Sequence, residues 1–267
     1  MPAGEASFYA GVQGLQREMN VQVPSAKLLF VALLDIIFPP RCHCCKSIVT
    51  GSNPIHLCSK SLDSMKPVVS PFCPFCGVPF LTEGGIDHAC SSCLLHPPPF
   101  AAARAPFVYD GPVKQMIHHF KYERKLALRR PLALLVADLL APFAAETAPD
   151  FVIPVPLHSK RLRHRGYNQA VLLGETIARQ WRVPMSRGNL RRIRWTEPQI
   201  ALPAAERLRN VKGAFALAGP SLIEGKKVLL VDDVYTTGAT VMECSRTLRS
   251  AGASAVFVVT VARALQK

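Results

Sequence analysis

The sequence predicts an α/β protein, a mainly parallel sheet flanked by helices, with a small cysteine-rich module ahead of it. Three observations carry that expectation. Val228, Leu229, Leu230 and Val231 form an apolar run without polar alternation, the mark of a strand buried on both faces. Asp150 to Pro156 (DFVIPVP) reads as a second such strand, and between the two lies a helical pattern, Gln169 to Arg182, with Ala170, Leu172, Leu173, Ile177 and Trp181 on one side. Eight of the nine cysteines fall between Cys42 and Cys93, partly in C-x-x-C pairs.

The 267 residues, 49% of them hydrophobic, suffice for one large core and a small module. The expected division is an N-terminal extension (1–27), an apolar helix with the cysteine-rich module (28–95), a Pro- and Ala-rich linker (96–107) and the α/β domain (108–267). A formal net charge of +14 implies an anionic partner, whether nucleic acid, a polyphosphate or a membrane surface, and charge alone does not choose among them. Residues 1–24 lack the ordered regions of a signal peptide, so paired cysteines point to metal rather than disulfides and to a reducing, cytoplasmic setting. Leu28 to Phe38 is apolar but far short of the ~20 residues that span a bilayer. Interrupted by Asp35 and stopped by Pro39 and Pro40, it reads as a buried amphipathic helix, with a place at a membrane surface as the alternative.

Within the module, Cys73-x2-Cys76-x13-Cys90-x2-Cys93 has the two-knuckle spacing of a structural zinc site, and Gly77 suits the tight first knuckle. Two disulfides are the competing explanation. Structural zinc contributes on the order of 10 kcal/mol of apparent folding energy, enough to order a segment of this size. Upstream, Cys42-x2-Cys45 pairs with Cys58, but Ser61 stands where a fourth cysteine is expected. Cys44, His56 or water as the fourth ligand, or loss of the metal, all remain open for this half.

The α/β part opens with Val108 and Tyr109, and Asp110-Gly111-Pro112 punctuates before a helix, Val113 to Tyr122. Lys114, His118, His119, Lys121 and Arg124 form its basic surface, read as a solvated face with contact to a ligand as the alternative; the adjacent histidines point apart and make a poor metal pair. A second apolar helix, near Leu126 to Ala145, is interrupted early by Pro131. The DFVIPVP strand exits into Pro156, Leu157 and His158, followed by Lys160, Arg161, Arg163, His164 and Arg165, at the carboxyl end of a strand where open α/β sheets bind ligands. A diphosphate, solvent, or single-stranded nucleic acid stacked on Tyr167 are the readings for this basic run, the first and third compatible with each other. Arg191 to Phe215 is a long Arg-rich connection of the kind that forms lids or binding elements. Ala255 to Val261 is the last strand.

The chemistry concentrates after the apolar run at 228–231. Asp232 and Asp233 stand where the strand should end, and Thr236, Thr237, Gly238, Ala239 and Thr240 form a hydroxylated, glycine-containing turn into a helix, Val241 to Ser250. Backbone N–H groups and a helix N-terminus there suit a phosphate, and paired carboxylates suit vicinal hydroxyls, which together describe a sugar phosphate. A Walker B or receiver-type aspartate strand is the bland alternative; it fails because the chain has no GxxxxGK[ST] and because neither explains TTGAT.

The stretch VLLVDDVYTTGAT resembles the phosphoribosyl pyrophosphate (PRPP) motif of type I phosphoribosyltransferases. With FPPxC at Phe38–Cys42, the cysteine pairs, PVPLH-x4-R-x-RGYNQA from Pro154 and ERLRN-x3-AF from Glu206, residues from about 28 to 263 resemble the ComF family. That resemblance implies a type I phosphoribosyltransferase fold with a double zinc ribbon, PRPP carried with Mg2+, and a cytoplasmic role in DNA uptake during natural transformation, with single-stranded DNA and the competence helicase machinery as partners. It assigns Asp232 and Asp233 to the ribose hydroxyls and Thr236 to Thr240 to the 5-phosphate. The diphosphate falls to Pro156, Leu157, His158, Lys160, Arg163 and Arg165. Arg194, in an R-x-T-x-P-Q pattern similar to the mobile loop of amidophosphoribosyltransferases, closes with Arg207 as a catalytic pair. A phosphoribosyltransferase with an unidentified acceptor and a non-catalytic PRPP sensor or single-stranded DNA binder are the two functions left standing.

Overall fold

The computed structural model describes residues 38–49, 55–80, 82, 84–196, 204–218 and 223–265, without the side chains of 204, 205, 207 and 208. Apart from Phe38, the apolar helix expected at 28–38 lies outside these residues. In chain order the elements are α1 (Ser59–Asp63), α2 (Ser91–Leu95), β1 (Ala102–Arg104), β2 (Phe107–Val108), α3 (Gly111–Tyr122), a 3-10 turn (Leu126–Leu128), α4 (Arg129–Leu139) and α5 (Ala141–Thr147). There follow β3 (Phe151–Pro154), α6 (Ser159–Arg165), α7 (Gln169–Trp181), β4 (Leu190–Arg192), α8 (Ala204–Val211), β5 (Phe215–Leu217), β6 (Lys227–Tyr235), α9 (Ala239–Ser250) and β7 (Ala255–Arg263).

β6 sits between β3 and β7, and every pairing in this sheet is parallel. Val228 to Val231 are fully buried, and their side chains divide between the two sides of the sheet. Leu229 and Val231 join a core with Met116, Ile117 and Phe120 of α3, Leu132 and Leu135 of α4 and Leu173 and Ile177 of α7. Val228 and Leu230 join the opposite core with Val241, Cys244 and Leu248 of α9. Apolar neighbours on both faces are the reason the strand shows no polar alternation. A separate antiparallel pair, β4 with β5, flanks the long connection that the sequence marks as a lid or binding element.

The stretch 96–107 does more than link. β1 and β2 both pair with the outer edge of β7, at Phe257–Val259 and Ala262–Arg263. On their other side, Val108 N–H donates to the Lys66 carbonyl at 2.9 Å and Ala103 N–H to the Phe75 carbonyl at 2.7 Å. An edge of β7 left bare would strand its backbone donors and acceptors, and this segment supplies their partners. The cysteine-rich residues are accordingly built into the sheet domain: Cys42, Ile55, Leu57 and Met65 enter the first core, and Cys73, Cys76 and Cys93 the second.

Two local expectations change. The apolar helix near 126–145 is three pieces, because Pro131 is tolerated in the first turn of α4 whereas Pro142 opens a new helix, α5. The basic run after His158 is a short helix, α6, with no buried residue and with Arg163, His164 and Arg165 in its last turn, where cations oppose the helix dipole favourably. α7 follows the sequence reading: the Asn168 side chain caps it by accepting from Ala170 N–H, and Trp181 Nε1 donates to the Ala137 carbonyl at 2.7 Å.

Because Leu230 is fully buried under α9, Leu230→Ala is expected to cost about 2–5 kcal/mol, read as a lower urea midpoint at unchanged slope.

Candidate functional site

The carboxyl ends of β3 and β6 open into a cleft of about 1120 Å3. β6 runs on to Tyr235 rather than ending at the acids as expected, because its pairing with β7 continues. Asp232 and Asp233 near its end and the turn after it (Thr236, Gly238, Ala239, Thr240) form one wall, and Pro156, Leu157, Lys160, Arg161 and Arg165 form the facing one. His118, Lys121 and Tyr122 of α3 close one end; Arg192 and Trp195 close the other.

The acids are held in place rather than merely presented. Asp233, 8% exposed at its side chain, forms an ion pair with Lys121 Nζ at 2.8 Å. Burial pulls Lys121 down, but the Asp233 carboxylate outweighs it and the ammonium titrates above its ordinary value. Asp232 is half-buried beside it and accepts from the Asp233 N–H at 2.9 Å. Burial first, and then the Asp233 charge, push its carboxyl up to about 7 against the opposing pull of Lys121. The turn that follows depends on Gly238, whose φ of 78° is left-handed and where a Cβ would run into the Tyr235 ring. Thr237 turns its hydroxyl to accept from Ala239 N–H at 3.4 Å.

Two polar atoms in the cleft walls have no hydrogen-bond partner, the Nε2 of Gln169, a residue 2% exposed, and the Nε of Arg192. Buried polar atoms are rarely left unmet, and these two belong to residues that line the cleft. Arg192 also packs its guanidinium over Phe215, 5.4 Å from the ring centre, and donates to the Thr196 hydroxyl. Trp195 carries Lys160 and Arg161 over its ring at 5.9 and 5.5 Å, with His158 edge-on at 5.3 Å.

The structure thus brings together Asp232, Asp233, Thr236, Gly238, Ala239, Thr240, Pro156, Leu157, Lys160 and Arg165. His158 is instead used as the cap of α6, its Nδ1 accepting from Lys160 N–H at 3.2 Å, and Arg163 points to solvent. Arg194 donates to the carbonyls of Asn210 and Lys212 at 2.9 and 2.6 Å and does not line the cleft. The Arg207 side chain, with Pro198 and Gln199, lies outside the described residues.

Sequence reasoning gave Lys121 ligand contact only as the alternative to a solvated face, and passed over Gln169, Arg192 and Trp195. Lys121 had a signal: His118, Lys121 and Tyr122 recur at helical spacing beside a wholly apolar row, Val113, Met116, Ile117 and Phe120. The basic face of α3 is therefore partly cleft wall rather than wholly solvated. Arg192 in place of Arg194 follows from a backbone irregularity, since Ile193 and Arg194 both turn their N–H groups to the Ala214 carbonyl and break the strand alternation.

In the cysteine-rich part, the Sγ atoms of Cys73, Cys76, Cys90 and Cys93 all lie within 4.8 Å of one another. Cys76 and Cys90 are 3.7 Å apart, and Cys90 N–H points at Cys73 Sγ from 3.4 Å. Four converging thiols with backbone donors turned toward them fit a tetrahedral zinc ion, which would supply cross-linking and no chemistry. Cys42, Cys45 and Cys58 form a three-thiol cluster in the same way. Its fourth corner is the Ser61 hydroxyl, 3.3 Å from both Cys42 and Cys58 Sγ, whereas His56 stacks on His43. Among the described residues no helix is long and apolar enough to cross a membrane.

The double zinc ribbon domain family matches residues 33–94, and the phosphoribosyl transferase domain family matches residues 141–267. Fold and site together therefore define a type I phosphoribosyltransferase fold carrying a double zinc ribbon. The DNA utilization protein YhgH of Salmonella typhi is 33% identical over 85% of this chain and 98% of its own length. Competence protein F of Haemophilus influenzae is 34% identical over 84% and 97%, and competence protein ComFC of Bacillus subtilis 27% identical over 74% and 80%. The chain belongs to the ComF family.

The raised carboxyl of Asp232 has a signed consequence. Between its ordinary value of 3.8 and about 7 the folded chain holds a proton that the unfolded chain has released, so folding weakens as pH rises through that window. Asp232→Asn removes the penalty; its melting temperature is expected to gain on that of the wild type from about pH 4 to about pH 7 and then level off, and parallel pH profiles would contradict this. For the ribbons, Ser61→Cys is expected to raise zinc retained against a chelator, and Cys73→Ser to lower it, by metal analysis of the full chain.

Proposed function

We propose that the cleft binds PRPP with its Mg2+ and that the protein transfers the phosphoribosyl group to an acceptor in the service of DNA uptake. The observation that carries this is the meeting, in one cleft, of two acids at a strand tip, a glycine-containing turn at a helix start, and a facing basic helix. Asp232 and Asp233 would take the ribose hydroxyls, with Lys121 keeping the pair from accumulating charge. The turn from Thr236 to Thr240 would take the 5-phosphate through backbone N–H groups, aided by the N-terminus of α9. Lys160, Arg161 and Arg165, with Arg192 at the end of the cleft, would face the diphosphate, whose charge Mg2+ also offsets.

In the transfer, a nucleophile of the acceptor forms a bond to the anomeric carbon while the bond to diphosphate breaks, the positive charge peaking on the ring. The protein contributes alignment, fixed dipoles and exclusion of water. Arg194 and Arg207 keep a closing role only if the connection between β4 and β5 rearranges when ligand enters. The names of the relatives, a DNA utilization protein and two competence proteins, support the link to DNA uptake.

A second reading, single-stranded DNA held along α6, is favoured by Trp195 with Lys160 and Arg161 stacked on it. Diphosphate release from PRPP with candidate acceptors, set beside DNA affinity across a salt series, separates the two. Turnover supports transfer, whereas a steep salt slope with no release supports DNA binding. Asp232→Asn with Asp233→Asn is expected to weaken PRPP binding at least tenfold by calorimetry while the circular dichroism spectrum is retained. Unchanged affinity would remove the ribose assignment.

A further inference from the structure

Arg263, the last residue of β7, is 3% exposed, and among the described residues it forms no salt bridge with a carboxylate. Burying a guanidinium without a counter-charge is costly, so its surroundings must answer for it. On one side Nε donates to the Cys76 carbonyl at 3.1 Å and a terminal nitrogen lies 3.9 Å from Cys76 Sγ. On the other side the guanidinium donates to the carbonyls of Tyr235 and Thr236 at 3.2 and 2.7 Å. It also lies over the Tyr235 ring, 4.1 Å from the centre, and that ring in turn fills the space under Gly238. One side chain therefore touches both a cysteine of the Cys73, Cys76, Cys90 and Cys93 cluster and the first residue of the turn after β6.

Four thiolates around one divalent ion leave a net negative charge, which is the counter-charge Arg263 otherwise lacks. Thiolates that ligate metal are commonly steadied by such donors around them. The contact surface is also tight, since a Cβ at Gly77, next to Cys76, would meet the Ala103 carbonyl at 2.6 Å. A shift of the knuckle would be passed on rather than absorbed.

We infer that Arg263 is a positioning residue that couples zinc at the Cys73, Cys76, Cys90 and Cys93 cluster to the shape of the turn at Thr236 to Thr240, so that metal and phosphate ligand bind cooperatively. Its functional meaning rests on the reading of that turn as the phosphate subsite; its test does not. Loss of the metal frees the knuckle that carries the Cys76 carbonyl, Arg263 Nε loses that fixed partner, and its hold on the Tyr235 and Thr236 carbonyls slackens. By linkage, whatever steadies the turn must tighten the metal by the same factor.

The experiment is amide hydrogen exchange on the full chain, zinc-loaded and after chelation, comparing Thr236–Thr240 with Leu229–Val231 in the middle of β6. The expected result is faster exchange in the turn, by several-fold, with the β6 amides unchanged. In Arg263→Lys, shown by metal analysis to keep its zinc, the turn is expected to exchange fast already and to gain nothing on chelation. With cobalt(II) replacing zinc, PRPP plus Mg2+ is expected to shift the thiolate-to-metal absorption of the wild type but not of Arg263→Lys. Unchanged turn exchange after chelation, or wild-type exchange in zinc-loaded Arg263→Lys, overturns the coupling; if chelation unfolds β6 as well, the zinc-loaded variant decides. Should PRPP bind nowhere, the proposed function falls while the exchange data still decide the coupling.

Discussion

Two carboxylates placed side by side near the carboxyl end of a strand packed on both faces need a cation, and the ion pair between Asp233 and Lys121 at 2.8 Å meets that need. Much of the site follows from this constraint. The acids lie just past the point where pairing with β3 stops, at Pro154 and Val231, while β6 stays paired with β7 as far as Tyr235. Lys121 comes from the end of α3, so the helix that covers one face of the sheet also closes one end of the cleft. Asp232, left with less compensation, keeps a raised carboxyl, chiefly through burial and then through the neighbouring Asp233 charge.

The cysteine-rich part is joined to this arrangement at the sheet edge. β1 and β2 pair with β7 on one side and with backbone near Phe75 and Lys66 on the other. Each cysteine cluster then adds to a different core, one on either side of the sheet. Metal sites that elsewhere stabilise a module too small to fold by itself are here continuous with the packing under the cleft. Arg263 bridges the two directly, from Cys76 to Thr236.

What could be read from the chain without coordinates was whatever local spacing dictates. An apolar run ending in Asp232-Asp233 and a TTGAT turn is a strand, a tip and a helix start, whatever surrounds it. C-x-x-C pairs separated by thirteen residues converge on one point because each knuckle is a tight turn. The α7 stripe and the Asp110-Gly111-Pro112 punctuation before α3 are equally local. The stretch 96–107 misled because prolines and alanines look like a tether, and only the bare edge of β7 made strands of it. Arg192 rather than Arg194 lines the cleft for a similar reason, a doubled contact at the Ala214 carbonyl that no alternation rule anticipates.

By itself, then, the sequence determined the ingredients: a buried parallel strand, the acids and turn at its end, a basic run after β3 and two cysteine clusters, one short of a thiol at Ser61. These are set by spacings of a few residues, over which backbone geometry leaves little choice. Tertiary structure decided which charges meet. Lys121 and Asp233 are far apart in the chain, as are Arg263 and Cys76, and such pairings come from helices and strands stacking in space, where burial turns an ordinary surface cation into an obligatory partner.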